Sequence, residues 1–188
     1  MAPQIYQIKI TLNGSKPKVW RRLLVYSDTM LDDMHRIIQT SMGWKNSHLH
    51  LFDDGINQYA PSEFEVAKTM DSRAINLKAI LKNQESIINY VYDLGDRWEH
   101  EILLEEILME HVSGQIPKCI SGKSSCPPED CGGIYGYTEL LSIISNPKHE
   151  EYESMIDWLG DDFDPNYFDM NEINIALNLK NYGCEWNE

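Results

Sequence analysis

Three of the four cysteines in the chain lie in one segment, CISGKSSCPPEDCGG, at residues 119–133. Six residues separate Cys119 from Cys126, and four separate Cys126 from Cys131. Thiolates at short spacings are typical zinc ligands, although structural sites usually pair cysteines about two to four residues apart and this chain has no second pair. The segment therefore predicts a metal site that needs a further ligand from elsewhere in the chain.

Candidates for the further ligand are the remaining thiol, Cys184, and the histidines that predicted strands place best, His48, His50 and His100. His48 and His50 share one face of a predicted strand in SHLHLF and could chelate a metal together. Zinc is the metal that this ligand chemistry favours. The predicted metal ligands are Cys119, Cys126, Cys131, His100 and His50.

Two other interpretations of the cysteine segment stay open. The Pro127-Pro128 and Gly132-Gly133 pairs are typical of a tight turn, because proline fixes φ and glycine permits a positive φ. In such a turn the cysteines would pack as small buried apolar side chains. Alternatively, one thiol is reactive, which requires a nearby cation to lower its pKa; Lys118 and Lys123 are the local cations.

The segment DLGDRWEH, residues 93–100, carries acids and a histidine that could serve in acid–base chemistry. Glu99 and His100 are neighbours in a predicted strand and therefore point to opposite faces. Asp93 and Asp96 lie in a predicted hairpin turn, where aspartate commonly bonds the local backbone. The chain has no phosphate-loop, dinucleotide-binding, nucleophile-elbow or HExxH pattern, so no catalytic or cofactor-binding residue is predicted.

The chain is acidic, with 16 basic against 30 acidic residues and a net charge of −14. A protein that grips nucleic acid along an extended face needs a basic surface, so charge disfavours nucleic acid as a partner. A small basic patch around Lys16, Lys18, Arg21 and Arg22 stays open as an exception. The expected partner is a protein or a small molecule.

The sequence also bears on compartment and membrane contact. No apolar run approaches the length of a membrane span, and the start MAPQIYQIKI lacks the basic and apolar regions of a signal peptide. These features predict a cytoplasmic protein with no membrane partner. Because thiols stay reduced in the cytoplasm, the cysteines are expected to be metal ligands, reactive groups or buried side chains rather than disulfides.

Hydrophobic periodicity predicts the elements that must position these residues. Alternation at residues 4–12 and β-formers at 19–26, joined by Asn13-Gly14, predict a hairpin. Helical spacing then predicts a helix at 31–43, and HLHLF predicts a strand at 48–52. This order is the β-β-α-β start of the predicted fold.

The rest of the chain predicts a second hairpin and a helical end. Residues 57–74 show no clean period and predict a loop, whereas 86–92 and 98–108 predict the hairpin. Capping patterns at Thr29 and Asp169 mark two helix starts. Three C-terminal helices are predicted, at 137–145, 148–159 and 170–180.

The predicted fold class is α+β, since strands come first and helices last. We expect an antiparallel or mixed sheet of two hairpins plus a short strand, with the C-terminal helices packed on it. We also expect one domain over residues 1–188, sheet-rich over 1–110 and containing the cysteine loop and helices over 111–188.

Several strings of the sequence resemble one family: VWRRLLV, YDLGDRWEHEI, PKCISGKSSCPPEDCGGIYGYTELL and WLGDDFDPNYFD. The likeness covers about residues 4–178 and is to the plasmid Ri ORF-three-like family, which is also met as a passenger protein of mobile elements. This resemblance implies no particular biochemical activity. The transposon "resolvase" label attached to the family reflects its genetic context.

These features together predict a binding or accessory protein with a structural metal site. The alternative is a DNA-recombination factor associated with mobile elements, or a metal-dependent enzyme. Phosphoryl transfer on DNA relies on arginine or metal clamps. The five scattered arginines of this acidic chain make an arginine clamp hard to build.

Overall fold

The computed structural model describes residues 3–108, 114–160 and 163–184. Eight strands within these ranges form one sheet. In chain order they are β1 (Ile5–Leu12), β2 (Trp20–Tyr26), β3 (His50–Asp53), β4 (Gln58–Ala60), β5 (Thr69–Asp71), β6 (Ile87–Tyr92), β7 (Trp98–Leu108) and β8 (Lys118–Lys123). The α-helices are α1 (Leu31–Met42), α2 (Leu77–Ile80), α3 (Gly133–Ile144), α4 (Tyr152–Leu159) and α5 (Met170–Leu177), with short 3-10 turns at Ser62–Phe64, Ser72–Ala74 and Lys180–Gly183.

The strands follow the order β5-β4-β3-β6-β7-β1-β2-β8 across the sheet. Neighbouring strands run antiparallel except β4 and β5, which are parallel, so the sheet is mixed. The two predicted hairpins are β1–β2 and β6–β7, and the pairing of β1 with β7 places both in the same sheet. The α+β prediction is therefore confirmed.

The sheet contains more strands than the sequence predicted. Residues 57–74, predicted as a loop, contain β4, β5 and two 3-10 turns. The start of the cysteine segment, also predicted as a loop, forms β8 and pairs with β2 at the sheet edge. Strands of only a few residues are too short to show a clear alternation of polar and apolar residues. Their conformation depends instead on the neighbouring strand with which they pair.

The core forms where the apolar face of α1 meets the sheet. The apolar side chains of α1 recur at helical spacing and are all buried: Leu31, Met34, Ile37, Ile38 and Met42. They join the same apolar cluster as Ile8 and Ile10 of β1 and Leu177 of α5. Alternation in the strands and the helical period of α1 therefore point to one shared core.

The helix ends follow the sequence only in part. The capping pattern at Thr29 is wrong, because α1 is capped at Met30 without a side-chain hydrogen bond. Gly43 ends α1 with a φ of 96°, which favours glycine. The Asp169 carboxylate accepts the N–H groups of Asn171 and Glu172, which confirms its predicted cap. No helix in the described ranges combines the length and apolar character needed to cross a membrane.

Candidate functional site

The loop that follows α1, residues 43–49, is anchored in the core. Trp44 is buried and packs against the ring of Tyr92, with the ring centroids 5.3 Å apart. The backbone N–H of Ser47 donates to the Tyr92 hydroxyl at 2.9 Å. These contacts hold the next residue, His48, in place just before β3.

The turn between β6 and β7 contributes a carboxylate beside this loop. Asp93 has a φ of 56°, and its Oδ1 accepts the N–H groups of Gly95 and Asp96 at 2.8 and 3.3 Å. The backbone N–H of Asp93 donates to the Leu49 carbonyl at 2.9 Å, which ties the turn to the loop after α1. The turn role predicted for this aspartate is confirmed, and its other oxygen, Oδ2, is turned toward His48.

The cysteine segment joins both of these elements through Glu129. The Glu129 carboxylate accepts the N–H of Lys45 at 2.5 Å and the hydroxyl of Tyr92 at 3.0 Å. It also accepts the hydroxyl of Ser47 in a short hydrogen bond. Through these bonds the residue that follows, Asp130, is held over the loop after α1.

Glycine is required where the same segment approaches the β6–β7 turn. Gly132 donates its N–H to Asp96 Oδ2 at 3.1 Å. Gly133 has a φ of 67°, and a Cβ there would lie only 2.5 Å from the Asp96 carbonyl oxygen. A side chain at Gly133 would therefore force the backbones apart, so the Gly-Gly pair serves this close contact.

His48, Asp93 and Asp130 converge at the junction of these three segments. Each offers one ligand atom, and the atoms lie within 4.8 Å of one another. His48 Nε2 is 3.2 Å from Asp130 Oδ1 and 3.8 Å from Asp93 Oδ2, yet it forms a hydrogen bond of good geometry with neither. Within the described ranges, no other group of three histidine, cysteine or acidic side chains brings its ligand atoms this close together.

A pocket of about 480 Å³ opens beside this group. Its lining residues are Asn46, Ser47, His48, Leu49, Asp93, Leu94 and Gly95. This volume lies within the range of small-molecule sites, which are concave and carry a few convergent polar groups. His48 and Asp93 supply such groups here.

One imidazole nitrogen and two carboxylate oxygens form a ligand set for a divalent cation. Imidazole and carboxylate ligands suit Zn²⁺, Mn²⁺ or Fe²⁺, whereas Ca²⁺ prefers oxygen ligands alone. Three protein ligands leave at least one coordination position for an exchangeable ligand, as in catalytic rather than structural zinc sites. The arrangement can therefore hold a cation that a small molecule reaches from the pocket.

Within the described ranges, the predicted cysteine ligands do not form a group of three ligand atoms within 4.8 Å of one another. Cys119 is buried in β8, where its thiol lies 3.6 Å from the Ser121 carbonyl oxygen, and Cys126 and Cys131 are half-buried beyond that strand. All four cysteines are free. Burial raises the pKa of the Cys119 and Cys126 thiols, and that of Cys131 to about 12, which opposes the reactive-thiol interpretation.

The predicted histidine ligands also lie apart from Cys119. His50 is in β3 and Cys119 in β8, five strand positions away, which is about 24 Å at the usual strand spacing. The two cannot ligate the same ion. His50 instead stacks on His35 with ring centroids 3.5 Å apart, and His100 lies beside Tyr90 at 5.4 Å. Zinc binding by the cysteines themselves stays a prediction.

The sequence offered His48 as a further ligand for the cysteines or as a partner of His50, and Asp93 as a turn residue or an acid–base group. It did not bring the two together, and it did not indicate Asp130. A signal was present in the strings that carry the family resemblance. Asp93 lies in YDLGDRWEHEI and Asp130 in CPPEDCGG, so each string places an acid two residues before a glycine. Their convergence could not be read from the chain, because 36 intervening residues separate them.

Fold and site together define a class of α+β protein in which one mixed sheet supports a surface site built from three loops. The chain belongs to the plasmid pRiA4b ORF-3-like protein family, whose sequence profile matches residues 4–172. The family resemblance found in the sequence strings is thereby confirmed.

Two relatives extend this assignment. The chain is similar to the uncharacterized protein y4hQ of Sinorhizobium fredii (strain NBRC 101917 / NGR234), with 32% identity over 182 residues, covering 94% of this chain and 92% of the relative. It is also similar to the crystal structure of MM3350 from Methanosarcina mazei Go1, titled a protein of unknown function. That comparison has a TM-score of 0.82 and 34% identity, and covers 92% of this chain and 98% of the other.

Proposed function

We propose that this protein is a metal-dependent binding protein in which His48, Asp93 and Asp130 hold a divalent cation. The cation exposes an exchangeable coordination position to the neighbouring pocket, where it takes an oxygen donor of a small molecule. Zinc is the first ion to test, because it binds imidazole with carboxylates and its affinity generally exceeds that of Mn²⁺ or Fe²⁺.

The observation that carries this proposal is the convergence of three ligand atoms within 4.8 Å. The ligands come from three separate chain segments, and each segment is held by hydrogen bonds to another. Glu129 bonds the loop after α1, and Gly132 bonds the β6–β7 turn. A site held in this way loses little conformational freedom when a cation binds.

Electrostatics support the same conclusion. Asp93 and Asp130 approach one imidazole, and no lysine or arginine forms an ion pair with either carboxylate within the described ranges. Two carboxylates that share one site repel each other, and a divalent cation converts this repulsion into attraction. The acidic surroundings also disfavour direct contact with nucleic acid phosphates, which supports a small-molecule ligand over the recombination alternative.

The proposal is tested by measuring metal binding directly. The purified protein is stripped with a chelator and titrated with Zn²⁺ by calorimetry, and the metal content is checked by elemental analysis. His48→Ala and Asp130→Asn should each weaken binding by at least about tenfold, because each removes a ligand. His149→Ala removes a partly exposed histidine outside the site and serves as the matched control.

A second pair of variants separates this site from the metal site predicted by the cysteine spacing. Cys126→Ser and Cys131→Ser should leave the zinc affinity unchanged if His48, Asp93 and Asp130 bind the ion. If the cysteine variants lose zinc binding and His48→Ala retains it, the thiolates are the zinc ligands and the proposed site is wrong. Absence of zinc, manganese and iron binding in the stripped wild type would refute the proposal.

A further inference from the structure

Arg21 is a buried cation with no acidic partner among the described residues. The residue is 3% exposed. Its Nε donates to the Ser41 carbonyl at 2.7 Å, and its Nη1 donates to the carbonyls of Trp20 and Lys123 at 2.9 and 3.0 Å. Nη2 donates no hydrogen bond within the described ranges, and no carboxylate there forms an ion pair with the guanidinium.

The adjacent arginine, Arg22, has the carboxylate partner that Arg21 lacks in the described ranges. Arg22 binds the Glu105 carboxylate through Nε and Nη2 at 2.6 and 2.8 Å, although it is more exposed. A buried charge without a counterion is costly, and neutral carbonyl groups, of which that of Ser41 lies at a helix end, offset only part of that cost. Burial accordingly lowers the pKa of Arg21. The unused donor of Arg21 is therefore suited to an anion from outside the chain.

Arg21 lines a pocket of about 290 Å³ between the end of α1 and the start of α5. The Phe168 ring covers the guanidinium, with its centroid 4.9 Å from Arg21 Cζ. Gly122 makes this stack feasible, because a Cβ there would lie 2.3 Å from the Phe168 ring and 3.0 Å from Arg21 Cδ. Other apolar walls are Met42, Phe163 and Ile173.

Two acids at the same pocket limit the charge of the ligand. Asp169 already caps α5 through its Oδ1, and Glu172 accepts the Tyr167 hydroxyl at 2.8 Å. Neither forms an ion pair with Arg21, but both carry negative charge in the pocket lining. These acids would repel a dianion such as phosphate more strongly than a single carboxylate directed at the guanidinium.

We propose that this pocket binds a small organic monocarboxylate with an apolar body. The carboxylate accepts hydrogen bonds from Nη2 of Arg21, and the apolar body packs against Met42, Phe168 and Ile173. One guanidinium at the base of apolar walls is a common recognition scheme for such acids, since it pairs a charge-assisted hydrogen bond with apolar burial. This site shares no residue with the proposed cation site.

Phenylacetate is the probe, with 2-phenylethanol as the neutral analogue and inorganic phosphate as the charge-only analogue. Calorimetry should detect phenylacetate binding at least about tenfold tighter than either analogue, because a hydrogen bond to a charged group is lost with one and apolar contact with the other. In the methyl NMR spectrum, phenylacetate should shift the resonances of Met42 and Ile173. Binding should persist in protein stripped of metal.

The variants are Arg21→Gln and, as the matched control, Arg22→Gln. Arg21→Gln should lose at least about tenfold in phenylacetate affinity, and Arg22→Gln should keep wild-type affinity. If Arg21→Gln does not fold, Tyr167→Ala replaces it, since this half-exposed wall residue tolerates truncation and should weaken binding severalfold. No methyl shift with phenylacetate, equal binding of 2-phenylethanol, or wild-type affinity in the Arg21 or Tyr167 variant would overturn the proposal.

Discussion

Three histidines are completely buried beneath the site, and they should make folding strongly dependent on pH. His35, His50 and His100 are each 0% exposed. His35 bonds Tyr90 and Asn46 through its two ring nitrogens, both at 2.8 Å. Burial lowers the pKa of His35 to about 3, that of His100 to about 4, and that of His50 well below its ordinary value of 6.5.

The sign of the effect follows from proton binding in the two states. The unfolded chain takes up protons at these histidines near pH 6.5, whereas the folded chain resists them, so stability is complete above that pH and is lost below it. When the pH falls from about 7.5 to about 5, His35 and His100 should each lower the free energy of unfolding by about 2 kcal/mol. His50 adds to the loss, which is large against a typical domain stability of about 5–15 kcal/mol.

Urea unfolding followed by tryptophan fluorescence measures this loss, since Trp44 and Trp98 are buried in the same region. The midpoint should fall by about 2 M urea between the two pH values for an m-value of about 2 kcal/mol/M. His100→Met replaces the imidazole by an apolar side chain and should recover about 2 kcal/mol of the loss at about pH 5. His149→Gln, at a partly exposed site, controls for the loss of a histidine as such. A wild-type midpoint that does not change with pH, or a His100→Met curve identical to wild type, would refute the reasoning.

Three further outcomes test the packing around the site. Gly133→Ala should destabilise the protein by about 2 kcal/mol or more in thermal unfolding, because a Cβ there meets the Asp96 carbonyl at 2.5 Å. Gly43→Ala, at a left-handed helical position with a φ of 96° and open space around the Cβ, should cost about 1 kcal/mol; equal costs would contradict the close contact. Tyr137→Phe should leave stability unchanged or raised, because the buried hydroxyl has no hydrogen-bond partner in the described ranges, and a loss above about 1 kcal/mol would disprove this. Cys131 should react slowly with a disulfide reagent at neutral pH until urea unfolds the chain, because burial raises its pKa to about 12; fast labelling of the native protein would show that the thiol is accessible and ionised.

The two hairpins and α1 were predictable from sequence because their signals are local. Alternation in residues 4–12 and the spacing of Leu31, Met34 and Ile38 each lie within one element, so the buried face can be read without knowing the partner. Strand β8 gave no such signal, since CISGK alternates weakly and becomes a strand only through its pairing with β2.

The candidate site could be anticipated only in its parts. The sequence shows that Asp93 belongs to a turn and that Gly132-Gly133 permits a positive φ, because these are properties of a few consecutive residues. The sequence also indicates the family, because the long and unusual strings that carry the resemblance occur along most of the chain.

The tertiary structure alone decided which side chains meet. Residues 48, 93 and 130 lie far apart in the chain, and their approach depends on the order of strands in the sheet and on Glu129 bonding the loop after α1. The same dependence separates Cys119 from His50 by five strand positions, although both are metal-binding residue types. Residue type and spacing determine what chemistry a segment can do, whereas strand pairing, which joins distant segments, determines which segments share a site.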